Sequence, residues 1–207
     1  WTCEARRYYF NIVGKYGAPV QTLLKKAAGL EINTICPLHG PILKDNLGYY
    51  IDKYMVWSSY QPEDDGVLVA CASIHGNTKA AAEKMVEILK NSGIEKVAYT
   101  DLTRDDMSEA IEDAFRYSRL IVMAASYDGG VFPPMEDFIN RLSHKAYQNR
   151  KVGIVENGSW APTAGKWMKN AFEGMKNIEI CNTMVTIKST AKEADIDAMK
   201  TLAEEIK

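Results

Sequence analysis

The sequence predicts an α/β fold: a doubly wound, five-stranded parallel sheet. Two observations carry it. From residue 67 onwards short apolar runs alternate with amphipathic stretches of helical period, the pattern of strand–helix–strand units joined by right-handed crossovers. The run RLIVMAA is apolar at every position after its arginine, as a strand covered on both sheet faces must be.

Before residue 67 the pattern differs, and QPEDDG at 61–66 reads as a solvated linker, since Pro, three acids and Gly interrupt both periods. GVLVACA then reads as the first strand. Ala81, Ala82, Met85 and Leu89 form one face of the helix after it. KVAYTDL is the second strand, and Met107, Ala110, Ile111 and Ala114 mark a short amphipathic helix leading into RLIVMAA, the central strand. Pro133 and Pro134 suit the first turn of a helix in which Met135, Phe138 and Leu142 recur. KVGIVEN is the fourth strand, APTAGKWMKNAFEGM a helix and IEICNTMVTI the fifth strand. Ile196, Met199, Leu202 and Ile206 stripe a closing helix.

Composition narrows the function classes. The 207 residues are 46% hydrophobic, enough for a sizeable core. Twenty-seven acids against 25 bases give a net charge of -2 and no electrostatic reason to expect nucleic acid or an anionic membrane as partner. No apolar stretch approaches a membrane span, and WTCEARRYYF lacks the apolar core of a signal peptide, so the expected location is cytoplasmic. Cys3, Cys36, Cys71 and Cys181 are scattered without a CxxC pair and read as buried free thiols.

In such a sheet ligands bind beyond the carboxyl ends of the strands. The loops after the first, third and fourth strands, SIHGNT, ASYDGGVFPP and ENGSWAPTAG, are rich in glycine, hydroxyl and amide groups, and the second and third carry aromatic residues. The first stands before a helix, where hydroxyls, backbone N–H groups and the positive helix end meet at one point suited to a phosphate. The other two offer what a flat conjugated ring needs, aromatic walls and close main-chain approach.

Ser73, Ile74, His75, Gly76, Asn77 and Thr78 together resemble the FMN-phosphate loop of flavodoxins. The segments Ser126-Tyr127-Asp128-Gly129-Gly130 and Asn157-Gly158-Ser159-Trp160-Ala161 resemble those flanking the isoalloxazine in the flavodoxin-like domain of flavodiiron proteins, or A-type flavoproteins. His75 departs from simple flavodoxins, where a small hydroxyl residue is frequent; it is read either as a ligand contact or as a solvent-facing loop residue. The resemblance implies FMN, and no GxGxxG fingerprint points to a dinucleotide. With no arginine in the loop, hydroxyls, N–H groups and the helix dipole must meet the phosphate, with Lys79 a distant helper.

The preceding segment, with Pro37-Leu38-His39-Gly40-Pro41 inside it, resembles the closing part of the metallo-β-lactamase-like domain of the same family. The implied organisation is residues 1–60 as a mainly helical remnant of that domain, 61–66 as linker and 67–207 as a flavodoxin-like FMN domain. His39 matches an iron ligand of the diiron centre in the intact parent protein. With only His39, His75 and His144 in the chain, a diiron site is not expected here, and the remnant is expected to pack on the sheet domain or on another copy.

The implied role is electron transfer within an oxygen or nitric oxide reductase. It would run from an external donor such as rubredoxin or a reduced deazaflavin, in a head-to-tail homodimer. A stand-alone flavodoxin-type carrier is the alternative; a phosphate-triggered receiver would need acids where Ser73 and His75 stand. Among single residues, Trp160 lies in a polar loop and is read as a ring contact, Trp57 and Trp167 as packing, and His144 as a surface residue. Asp128 is either a turn residue or a charge beside the ring.

Overall fold

A computed structural model describes all 207 residues. Strands β1 (Asp64–Ala72), β2 (Val97–Asp101), β3 (Tyr117–Tyr127), β5 (Arg150–Asn157) and β6 (Ile178–Ile187) run parallel in the spatial order β2-β1-β3-β5-β6. This is the flavodoxin-like winding, with its switch point between β1 and β3. A two-residue strand, β4 (Gly130–Val131), turns back antiparallel on the end of β3 and had no counterpart in the strand reading.

Alternation along each strand distributes the core. Val67, Val69 and Cys71 of β1 face α4 (Asn77–Asn91) and α8 (Glu193–Ile206), where Ala81, Met85, Leu89, Met199, Leu202 and Ile206 meet them. Leu68, Ala70 and Ala72 face the opposite layer, made of α5 (Met107–Arg116), α6 (Pro133–His144) and α7 (Ala164–Glu173). The predicted helix stripes are therefore the core faces. Pro133 opens α6, and Asp106 caps α5 by accepting from the Ser108 N–H at 2.7 Å.

The first 60 residues are mainly helical. They contain α1 (Thr2–Tyr8), a π-turn at Tyr9–Val13, a 3₁₀ turn at Gly14–Tyr16, α2 (Gly17–Ala27) and α3 (Leu47–Ser58). Between α2 and α3 the chain is irregular except for an isolated bridge of Ile35 with Leu43, which pins the loop carrying Pro37 to Pro41. The segment packs on the sheet: Tyr9, Phe10 and Trp57 are fully buried in the same apolar cluster as Leu120, Phe138 and Phe172. Beyond that contact much apolar surface is open, including Leu23, Leu30, Leu38 and Ile42, beside a groove of about 750 Å³.

Two readings need correction. Residues 61–66 are not a solvated linker, because β1 begins at Asp64 and the carboxylates preceding the apolar run have partners distant in sequence. Glu63 accepts from Arg6, Lys53 and the Trp57 indole at 2.7, 2.6 and 2.8 Å, while Asp64 pairs with Lys96 and Arg116. Gly66 is required there, since a Cβ would fall 2.7 Å from the Lys96 carbonyl oxygen. Of the four cysteines only Cys71 and Cys181 are buried; Cys3 and Cys36 lie on helix and loop surfaces of the amino-terminal segment, and all four are free.

Candidate functional site

The three loops singled out follow β1, β3 and β5, which are neighbours in the sheet, so they converge at one edge, the carboxyl end. In the first, the Gly76 N–H donates to Ser73 Oγ at 3.0 Å, and Gly76 takes φ +93°, closing the turn on which α4 begins. Gly76 has no side chain to cap the helix, and the N–H groups of Asn77, Thr78 and Lys79 find no acceptor in the protein. Thr78, in the first turn of the helix, is buried. Three unpaired donors at a positive helix end, with no carboxylate in the loop, fit a phosphate group. His75 and Ile74 are exposed on the outer side of the turn.

Lys79, in the first turn of α4, has a carboxylate partner. Its ammonium lies 3.5 Å from the carboxylate of Asp101 at the end of β2. Burial acts to raise the Asp101 carboxyl, but hydrogen bonds from Thr103 and the charge of Lys79 outweigh it and hold the group below the usual carboxylate range.

The second loop is a tight hairpin. Tyr127 pairs with Gly130, and the two residues between them, Asp128 at φ +48° and Gly129 at φ +73°, form a type I′ turn. Asp128 occupies the first central position of that turn. Tyr127 is half exposed at the rim, with its ring 5.9 Å from that of Phe132.

The third loop is shaped from within. A Cβ on Gly158 would fall 2.9 Å from both Pro162 Cα and Ser126 Oγ, so only glycine lets the two loops touch. Ser126 Oγ accepts from the N–H groups of Thr163 and Ala164 at 2.9 and 3.2 Å and caps the start of α7. Trp160 stands almost fully exposed, at 97%, flanked by exposed Ser159 and Ala161. An indole left in water on a polar loop has apolar area to offer a flat ligand. Trp57 is in the core and Trp167 packs against it, while His144 is on the α6 surface.

A fourth loop, after β6, was missed. Asn157 is buried and exchanges hydrogen bonds with the Ser189 backbone, Nδ2 to O at 2.8 Å and N to Oδ1 at 2.9 Å. Asn77 Nδ2 reaches Ser189 Oγ at 3.2 Å. Ser189, at φ +69°, therefore ties the phosphate-type loop to the aromatic loop. The Lys-Ser-Thr stretch directly after an apolar strand was the available sign.

His39 is apart from this edge. It is exposed, with its ring 5.4 Å from that of Tyr8. No three His, Cys, Asp or Glu side chains are grouped so as to hold a metal ion, and no helix is long and apolar enough to cross a membrane.

No family model matches the chain. An uncharacterized protein of Methanocaldococcus jannaschii is 24% identical over 198 residues, covering 95% of this chain and 50% of that protein. Diflavin flavoprotein A 3 of Synechocystis is 26% identical over 177 residues, covering 83% of this chain and 29% of that one. Among solved structures, rubredoxin oxygen:oxidoreductase from Desulfovibrio gigas superposes with a TM-score of 0.91 at 22% identity, over 99% of this chain and 51% of that one. The chain spans about half the length, or less, of the relatives it matches. The superposition shows that the two chains share a fold.

Proposed function

We propose, from the premise that this chain is a relative of the flavodiiron proteins, that residues 67–207 bind FMN and pass electrons from an external donor. The observation that carries this reading is the uncapped start of α4, whose three unpaired N–H groups share one edge of the sheet with two loops presenting Tyr127 and Trp160. The amides of Asn77, Thr78 and Lys79, with the Thr78 hydroxyl, hold the phosphate. Tyr127 and Trp160 flank the ring, and Gly129 and Gly158 allow backbone to approach it. Charge complementarity at the helix end and aromatic contact at the ring are separate contributions. Bound FMN would supply the electron chemistry; the protein orients the ring and limits its exposure to water.

Within this proposal residues 1–60 correspond to the closing part of a metallo-β-lactamase-like domain. His39 stands where a longer parent protein has an iron ligand of the diiron centre that reduces oxygen or nitric oxide. The donor is rubredoxin or a reduced deazaflavin, the assembly a head-to-tail homodimer and the location the cytoplasm. A flavodoxin-type carrier is the second reading, favoured by the completeness of the unit from β1 to α8. Burial of Tyr9, Phe10 and Trp57 in that unit's core weighs against it, since a carrier needs no such segment.

The test is titration of the purified chain with FMN and with riboflavin, followed by flavin fluorescence. Saturable quenching, tighter for FMN, is expected. Unchanged fluorescence at micromolar protein overturns the reading.

A further inference from the structure

The row of β5 side chains facing α7 runs Val152, Ile154, Glu156: two core residues and then a carboxylate. Glu156 is 4% exposed and takes part in none of the ion pairs of the structure. Both its oxygens accept from neutral donors, Oε2 from the Gly165 N–H at 2.7 Å and Oε1 from the Thr186 hydroxyl at 2.8 Å. The site is built around it. A Cβ on residue 165 would fall 2.9 Å from its Oε2 and 2.8 Å from Met184 Sδ, so Gly165 is the residue that lets α7 start against the carboxylate.

The two helix starts at this edge are therefore opposites. The N–H groups opening α4 are unpaired, whereas those of Thr163, Ala164 and Gly165 at α7 are taken by Ser126 and Glu156. Glu156 immediately precedes the 157–161 loop, so a ring seated on that loop would lie near a buried carboxylate that no cation pairs.

We propose that Glu156 is a positioning residue that sets the reduction potential of a flavin held on the 157–161 loop, its carboxylate disfavouring the added negative charge of the reduced ring. The proposal rests on the FMN reading above. Reduction places two electrons on the flavin from an added reductant, and Glu156 gives or takes none. Its effect is on the relative affinity for the two redox states, through a charge poorly screened because it is buried.

The experiment is a dithionite titration against a reference dye, on FMN-loaded wild type and Glu156→Gln, with FMN dissociation constants measured in parallel. The amide keeps the shape and removes the charge. Oxidised FMN should bind within about threefold of wild type, and the preference for reduced over oxidised flavin should rise about tenfold, equivalent to ~30 mV for the two-electron couple. Met184→Lys gives an independent arm that leaves Glu156 in place. A cation entering from the half-exposed β6 edge would pair with the carboxylate and move the potential the same way. Unchanged potentials in both variants, with FMN bound, overturn the proposal. Failure of wild type itself to bind FMN overturns the underlying reading instead.

Discussion

The rings of Phe10 and Phe115 stack face to face, centroids 4.1 Å apart and planes within 12°. Phe10 belongs to the amino-terminal segment and Phe115 to the last turn of α5, so the contact joins the two parts of the chain. Phe10→Ala should lower stability by about 3–5 kcal/mol. Urea unfolding followed by tryptophan fluorescence and by far-ultraviolet dichroism should shift together. Two separated transitions in wild type would show that segment and sheet do not share one core.

Arg150 is a buried cation with no carboxylate beside it. Its guanidinium donates to the carbonyls of Tyr60, Phe115, Tyr117, Gln148 and Asn149, gathering the end of the helical segment and the starts of β3 and β5. Burial pushes its pKa below the ordinary guanidinium value. Arg150→Lys, which cannot form the planar fork, should cost about 3 kcal/mol or more, since several buried carbonyls lose their donors. A urea midpoint unchanged by that substitution would contradict this role.

Stability should fall on acidification. Burial acts to raise the carboxyls of Glu63 and Asp64, but hydrogen bonds from Lys53, Trp57 and Arg6 to the first, and from Lys96 and Arg116 to the second, outweigh it and hold both below their usual values. A carboxyl depressed in the folded state contributes stability that is fully present above its unfolded value, about 4, and is lost as pH falls through the folded one. Urea midpoints should therefore be level on the neutral side and drop below about pH 4. Glu63→Gln should be less stable at pH 7 and show a shallower acid slope; an unaltered slope would exclude Glu63 as a contributor.

The two halves of the proposed flavin seat should separate by ligand. Thr78→Val should weaken FMN about tenfold while leaving riboflavin nearly unchanged, because only the phosphate uses the hydroxyl. Trp160→Ala should weaken both equally. Fluorescence titrations of the two variants distinguish these patterns, and equal loss of both ligands in Thr78→Val would move that residue out of the phosphate site.

With FMN bound, iron supplied anaerobically should not accelerate nitric oxide consumption by this chain, since no three His, Cys, Asp or Glu side chains are grouped so as to hold a metal ion. Fast, iron-dependent turnover would place metal chemistry on residues other than those discussed.

Strands β1, β3 and β5 were legible because each carries a nearly continuous apolar run, β2 and β6 because apolar and polar residues interleave there between helical stretches, and the loops because Gly, Ser, Asn and Thr interrupt both periods. Partnerships across long sequence separations were not legible. QPEDDG has a linker's composition, yet Glu63 and Asp64 are held by Arg6, Lys53, Lys96 and Arg116, which only folding brings near. The β4 hairpin is too short for periodicity, though Asp128-Gly129 was its turn signal. Ser189 and Glu156 were missed for one reason: each sits beside an apolar strand end, and only the pairing of β5 with β6 shows which loop each supports.

The triple attachment of Ser189 makes the edge of the sheet mechanically single. Asn77 belongs to the first crossover and Asn157 to the fourth strand, while Ser189 precedes the last helix, yet hydrogen bonds join all three. A displacement of α8 would thereby reach both loops at once. Pressure on that outer helix, in an assembly or an encounter, would act as a lever on the proposed ligand seat.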